Sequence, residues 1–144
     1  MTPSDSSQAP LSGGEVIQAF FPQSPYVSHL GMQLAEMDRD RAVLTLPFQQ
    51  EIITIGTIVH GGAIASLIDA AAMVAAWSGA EATASTRGTT VALTVNYLTA
   101  AQSEDIQATA RVLRRGHSLV YLDVEVTGAT RTLVAKGLVT YKLG

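Results

Sequence analysis

One carboxylate, Asp69, interrupts the run from His60 to Ser78, HGGAIASLIDAAAMVAAWS, which is otherwise apolar on every side after its His-Gly-Gly opening. A helix that is hydrophobic all round has no face for water and must be enclosed by other elements. Asp69 then goes inside with it, and a buried carboxylate is costly unless it is paired, hydrogen-bonded or protonated. A sequestered acid is suited to proton transfer or nucleophilic attack, and Asp69 is the only ionisable side chain in this predicted helix. Other chemistries find little support. The absence of cysteine removes disulfides, thiolate metal sites and cysteine nucleophiles together. His29, His60 and His117 lack the close spacing of a zinc site, so no metal is expected.

The elements that position this acid belong to a short chain. Its 144 residues suit one domain, and nearly half of them are apolar. A formal charge of −3 gives no basic footprint, which argues against a nucleic-acid partner. A membrane span needs about 20 uninterrupted apolar residues; Asp69 and the small side chains around it make that the weaker reading. The opening MTPSDSSQAPLSGG has neither a basic region nor an apolar run, so it is no secretory signal. It reads as a disordered tail over residues 1–14, ahead of a single domain over 15–144, with the cytoplasm as the default location.

Val16, Ile17, Phe20 and Phe21 fall on one side of a short helix that Pro22 and Pro25 stop. Gly31 to Met37 and Arg41 to Phe48 read as a hairpin around Asp38-Arg39-Asp40, and QQEIITIGTIV as a loop leading into the central helix. That helix starts near Gly61 or Gly62 and ends around Ser78-Gly79. A polar connection over Ala80 to Gly88 follows. In TTVALTVNYL, alternation puts Val91, Leu93, Val95 and Tyr97 on one face and Thr90, Ala92, Thr94 and Asn96 on the other. Asp105 to Leu113 and His117 to Thr127 alternate again, and Thr127-Gly128 turns the chain into a last strand, Thr132 to Leu143, with connections short enough for an antiparallel meander. The sum is an α+β domain, one long helix wrapped by an antiparallel sheet.

The His60-Gly61-Gly62 opening, the acid nine residues after the histidine, TTVALTVNYLTAA and the late RRGHSLVYLDVEV with LVAKGLVTYKL together resemble the hotdog-fold thioesterases of the phenylacetate-pathway type over roughly residues 28–143. The resemblance implies a hotdog sheet of five or six strands and hydrolysis of an acyl-coenzyme A. Coenzyme A would then be part of the substrate, with no separate cofactor. It implies Asp69 as the base or nucleophile, the Gly61 N–H as donor to the thioester oxygen and Thr90 as an assistant to the water. His60 and Gly62 belong to the same helix entry, where His60 reads as a structural group fixing the loop. Family members frequently have asparagine or glutamine six residues before the histidine, where this chain has Thr54. For Thr90 an ordinary strand threonine is an equal alternative. Arg114 and Arg115 could grip coenzyme A phosphates, since guanidinium forks fit phosphate oxygens, or form a solvated turn. Arg87 could line the same path.

Thioester hydrolysis builds negative charge on the carbonyl oxygen, which a backbone N–H at a helix N-terminus stabilises. Glycines there let a substrate approach the backbone. Eight residues separate Gly61 from Asp69, which at about 1.5 Å per residue is roughly 12 Å. One helix cannot place both on one substrate, so Asp69 is expected to work with Gly61 of a second chain in a homodimer or dimer of dimers. Two rivals remain: a hotdog dehydratase or hydratase, whose histidine-proline-glycine signature is not seen here, and a module that binds acyl-CoA without turning it over.

Overall fold

The computed structural model describes residues 11–144. In order they form β1 (Leu11–Ser12), α1 (Gly13–Phe20), α2 (Pro25–Leu30), β2 (Gln33–Asp38), β3 (Arg41–Leu46), β4 (Ile53–Ile55), β5 (Ile58–Val59), α3 (Gly61–Ser78), β6 (Glu81–Ala82), β7 (Gly88–Tyr97), β8 (Ile106–Arg115), β9 (Leu119–Thr127) and β10 (Leu133–Leu143). Six strands make one antiparallel sheet in the order β2-β3-β8-β9-β10-β7. Period-two alternation sets its faces: Val120, Leu122, Val124 and Val126 of β9 are buried, while Tyr121 and Glu125 between them face out. Across the inner face lies α3, packed on β3, β8, β9, β10 and β7. This is the hotdog α+β arrangement, with the expected meander through β8, β9 and β10. At Gly137 the helix comes so close that a Cβ would sit 2.7 Å from Ile68 Cγ2. Only a residue without a side chain lets α3 settle there.

Enclosure of α3 is less complete than its composition predicts. Eleven of its eighteen residues are buried, but Gly62, Ser66, Asp69 and Met73 form a stripe that the sheet does not cover and that α1 and α2 cover only in part. Asp69 is therefore half-buried, not sealed. By length and composition α3 could cross a membrane; here it is the core of the domain.

Other elements also differ from expectation. The predicted tail reaches into the domain: residues 1–10 lie outside the described residues, but Leu11–Ser12 pair with β6 and Gly13 N–H donates to Ala80 O, at the start of α1. Pro25 opens α2 instead of ending a helix, because proline fits the first helical position, whose N–H needs no partner. The predicted loop before α3 is a 3-10 turn and a small hairpin, β4 with β5, turned at Gly56. The connection after α3 carries β6.

The largest correction concerns β7. Against β10, Ala92 lies opposite Thr140 but Thr90 lies opposite Tyr141, so Val91 is an extra, bulged residue. The bulge reverses the alternation and puts Thr90 on the inner face with Leu93, Val95 and Tyr97, not on the outer face with Ala92, Thr94 and Asn96.

Candidate active site

Thr90 and Asp69 meet because of that bulge. Thr90 Oγ1 donates to Asp69 Oδ1 at 2.6 Å, which stabilises the carboxylate and fixes its orientation. Asp69 Oδ2 has no hydrogen-bond partner among the described residues, so it remains available to take a proton or to attack. Beside them, Trp77 Nε1 donates to the Tyr141 hydroxyl at 2.9 Å. Burial raises the Tyr141 pKa above its ordinary value; the Trp77 hydrogen bond opposes this and the Asp69 charge adds to it. Tyr141 thus stays a neutral phenol in the physiological range.

At the other end of the stripe is the first turn of α3. His60 is its N-cap, with Nδ1 accepting from Gly62 N–H at 2.7 Å, which requires the ring proton on Nε2. His60 O accepts from Ala63 N–H and Ile64 N–H. One N–H of this turn, that of Gly61, is left without an acceptor among the described residues, at the positive end of the helix dipole. The neighbouring peptide is held from both sides, because Tyr97 Oη donates to Gly61 O at 2.8 Å while His60 takes the Gly62 N–H. A Cβ on Gly61 would lie 3.3 Å from the Tyr97 ring, so glycine makes room for that packing. Thr54, from β4, lines the same cleft as Gly61 and Tyr97, a space of about 350 Å3.

The predicted residues therefore fall into two groups on one helix: Asp69 with Thr90, and His60, Gly61 and Gly62 with Thr54. The arginines belong to neither. A bulge at Leu113 leaves Arg114 opposite Tyr121 and Arg115 opposite Val120, so the two project to opposite faces of the sheet. Arg115 Nη2 donates to Ala76 O at 2.9 Å and to Asp40 Oδ1 at 2.7 Å, closing the C-terminal end of α3. A cation there also suits the helix dipole. The pair thus forms no joint phosphate fork. Arg87 Nη1 turns back to Ala84 O and Thr86 O within its own loop.

Tyr97, Trp77 and Tyr141 were not singled out as site residues by sequence. Period-two spacing puts Tyr97 on the inner face of β7, but only the tertiary structure carries its hydroxyl to α3.

The thioesterase superfamily profile matches residues 56–135, the span that holds α3, β7, β8 and β9. The medium/long-chain acyl-CoA thioesterase YigI of Escherichia coli K12 is 28% identical over 142 residues, covering 88% of this chain and 90% of its own. Among solved structures, AziG of S. sahachiroi superposes with a TM-score of 0.75 at 27% identity over 83% of this chain and 95% of that one. The E. coli PaaI protein of the phenylacetic acid degradation operon superposes with a TM-score of 0.80 at 22% identity over 91% and 92%. Profile and fold agree with the geometry around α3: this chain belongs to the thioesterase superfamily, as a hotdog-fold thioester hydrolase.

Proposed function

We propose that the protein hydrolyses acyl-CoA thioesters in a site shared by two copies of the chain, Asp69 and Thr90 coming from one and the Gly61 N–H, with Thr54 and Tyr97, from the other. The observation that carries this reading is the division of the site. Asp69 has a free oxygen but no oxyanion donor beside it, and Gly61 has an unaccepted N–H but no acid, on one helix with roughly 12 Å of rise between them.

In the shared site the thioester oxygen accepts from Gly61 N–H of one copy, and negative charge grows there as the carbonyl carbon becomes tetrahedral. The helix dipole and the pinned peptide favour that charge more than they favour the ground state. Asp69 of the other copy acts as base, taking a proton from water as the new C–O bond forms, or as nucleophile, forming an acyl-carboxylate that water then cleaves. Either route breaks the C–S bond and releases the acid and the coenzyme A thiol. Thr90 holds the carboxylate through its Oδ1 in both. A binding module that lacks turnover would use the same surfaces, and release of thiol separates the two.

Thiol release from an acyl-CoA tests the activity, and Asp69→Asn is expected to lower kcat by about a hundredfold or more. Complementation tests the sharing. Gly61→Pro removes the N–H at a first-turn position whose backbone suits proline, with Tyr97 giving way slightly to the added Cβ. Asp69→Asn and Gly61→Pro are each expected to be inactive, but when mixed and allowed to exchange subunits they regain activity, because one site of each hybrid has both groups intact. A mixture that stays inactive after demonstrated exchange refutes the shared site.

A further inference from the structure

A second cavity, of about 340 Å3, lies between α1 and the C-terminal half of α3. Val16, Ile17 and Phe20 of α1 form one wall, Met73 and Trp77 of α3 the other, and Tyr141 closes it from the sheet. Met73 is one helical turn beyond Asp69, and Trp77 one turn beyond Met73, on the same side of α3. The cavity therefore lies one turn along α3 from the carboxylate, with Met73 between the two. Its Trp77 to Tyr141 hydrogen bond, both residues buried, makes a rigid end. Among the residues lining it, Arg87 is the one charged side chain, and it is turned back onto its own loop.

We propose that this cavity receives the acyl chain of the thioester, with the Trp77 and Tyr141 pair as the stop that limits chain length; the proposal rests on the thioesterase reading above. A chain that enters past Met73 meets methyl, thioether and aromatic surface on both helix walls, with Thr86, Arg87 and Gly88 along one side. A water-sized group takes about 30 Å3, so the space holds on the order of ten heavy atoms. That is an aliphatic acyl group of medium length. A chain of palmitoyl length exceeds it and must either push Trp77 aside or stay partly in water. Trp77 is then a specificity-determining residue for this chain.

Trp77 is also the only tryptophan in the sequence, so its fluorescence reports on the cavity without a label. In Asp69→Asn, octanoyl-CoA is expected to shift that emission saturably, and coenzyme A alone to leave it unchanged. In the wild type, kcat/KM should be about tenfold or more higher for octanoyl-CoA than for palmitoyl-CoA, and Trp77→Leu should close most of that gap. Phe20→Ala alters a wall at a half-exposed position that folding tolerates. It is expected to raise KM for octanoyl-CoA severalfold and leave acetyl-CoA unaffected. If the enzyme turns over acyl-CoA but neither the emission nor the chain-length profile responds, the acyl cavity is overturned and the thioesterase reading stands. If the emission shifts with octanoyl-CoA while no thiol is released by the wild type, the cavity holds and the hydrolase reading falls.

Discussion

At one edge of the main sheet, β2 runs six residues, carries Glu36 and Asp38, and is bulged between Leu34 and Glu36. At the other, β7 runs ten residues without a charge and exposes Val91, Leu93 and Tyr97, at 57%, 38% and 54% of their surface. Short length, charge and a bulge are the usual means of keeping an edge from pairing with another chain. The first edge has all three; the second has a bulge alone, and that bulge serves to bring Thr90 to Asp69. A long, uncharged edge such as β7 is the kind that accepts a second strand, as the proposed shared site requires. Antiparallel pairing with its twin, centred on Thr94 and with Val91 bulged out as it is against β10, would set Thr90 of one copy opposite Tyr97 of the other, inner face to inner face. The two half-sites on α3 would then meet across one seam.

A charge placed on each edge in turn breaks the comparison most severely. Leu93→Lys is expected to give a folded monomer by sedimentation, with kcat/KM lowered about a hundredfold or more because the base no longer faces an oxyanion donor. Ala35→Lys, at the bulge of β2, should leave both mass and rate unchanged. A Leu93→Lys monomer with full activity would refute the role given to the seam.

Thr90→Val tests the end of β7 that reaches Asp69. Valine keeps the branched shape and loses only the hydroxyl, so the carboxylate is left without its donor at 2.6 Å. Hydrogen bonds to charged groups contribute about 1.5–3 kcal/mol, and a loss of that size lowers kcat by about tenfold to a hundredfold. An unchanged rate would return Thr90 to an ordinary strand residue.

The position of Thr90 shows where the sequence stops being legible. Asp69, the glycine pair and α3 were visible because composition alone marks an apolar helix with one acid. The faces of β9 were visible because its alternation is unbroken. Val91 breaks it in β7 and Leu113 in β8. An inserted residue looks like any other to a period-two reading, so Thr90 was put on the wrong face; Arg114 and Arg115 were grouped because the strand was ended at Leu113 and the pair read as a turn, whereas β8 runs on to Arg115 and alternation parts them. Half-burial of Asp69 was hidden for a different reason: the composition of α3 does not say which side the sheet covers. Pro25 looked like a stop because proline favours both the end of one helix and the start of the next.

Tyr97→Phe tests the other end of β7 with a smaller expected effect. Phenylalanine keeps the ring against Gly61 and removes the hydrogen bond to Gly61 O. A neutral hydrogen bond contributes about 0.5–1.5 kcal/mol, so kcat should fall roughly two- to tenfold. KM should change little, since the hydroxyl holds the peptide next to the donor and not the donor itself. A rise in KM with unchanged kcat would make Tyr97 a substrate contact instead.

The smallest effect is expected on stability at the blunted edge, where Arg41 pairs with Glu36 at 2.7 Å and with Asp38 at 3.7 Å. Both acids are largely exposed, and surface ion pairs contribute about 0–1 kcal/mol and weaken with salt. Glu36→Thr with Asp38→Thr should therefore shift the unfolding midpoint only slightly, because threonine suits a strand. If the charges serve to keep β2 unpaired, the double variant gains concentration-dependent self-association that the wild type lacks while its specific activity is retained, since β7 is untouched. Loss of stability without new association would mean that β2 is protected by its length and bulge alone, and that the contrast between the two edges lies in β7.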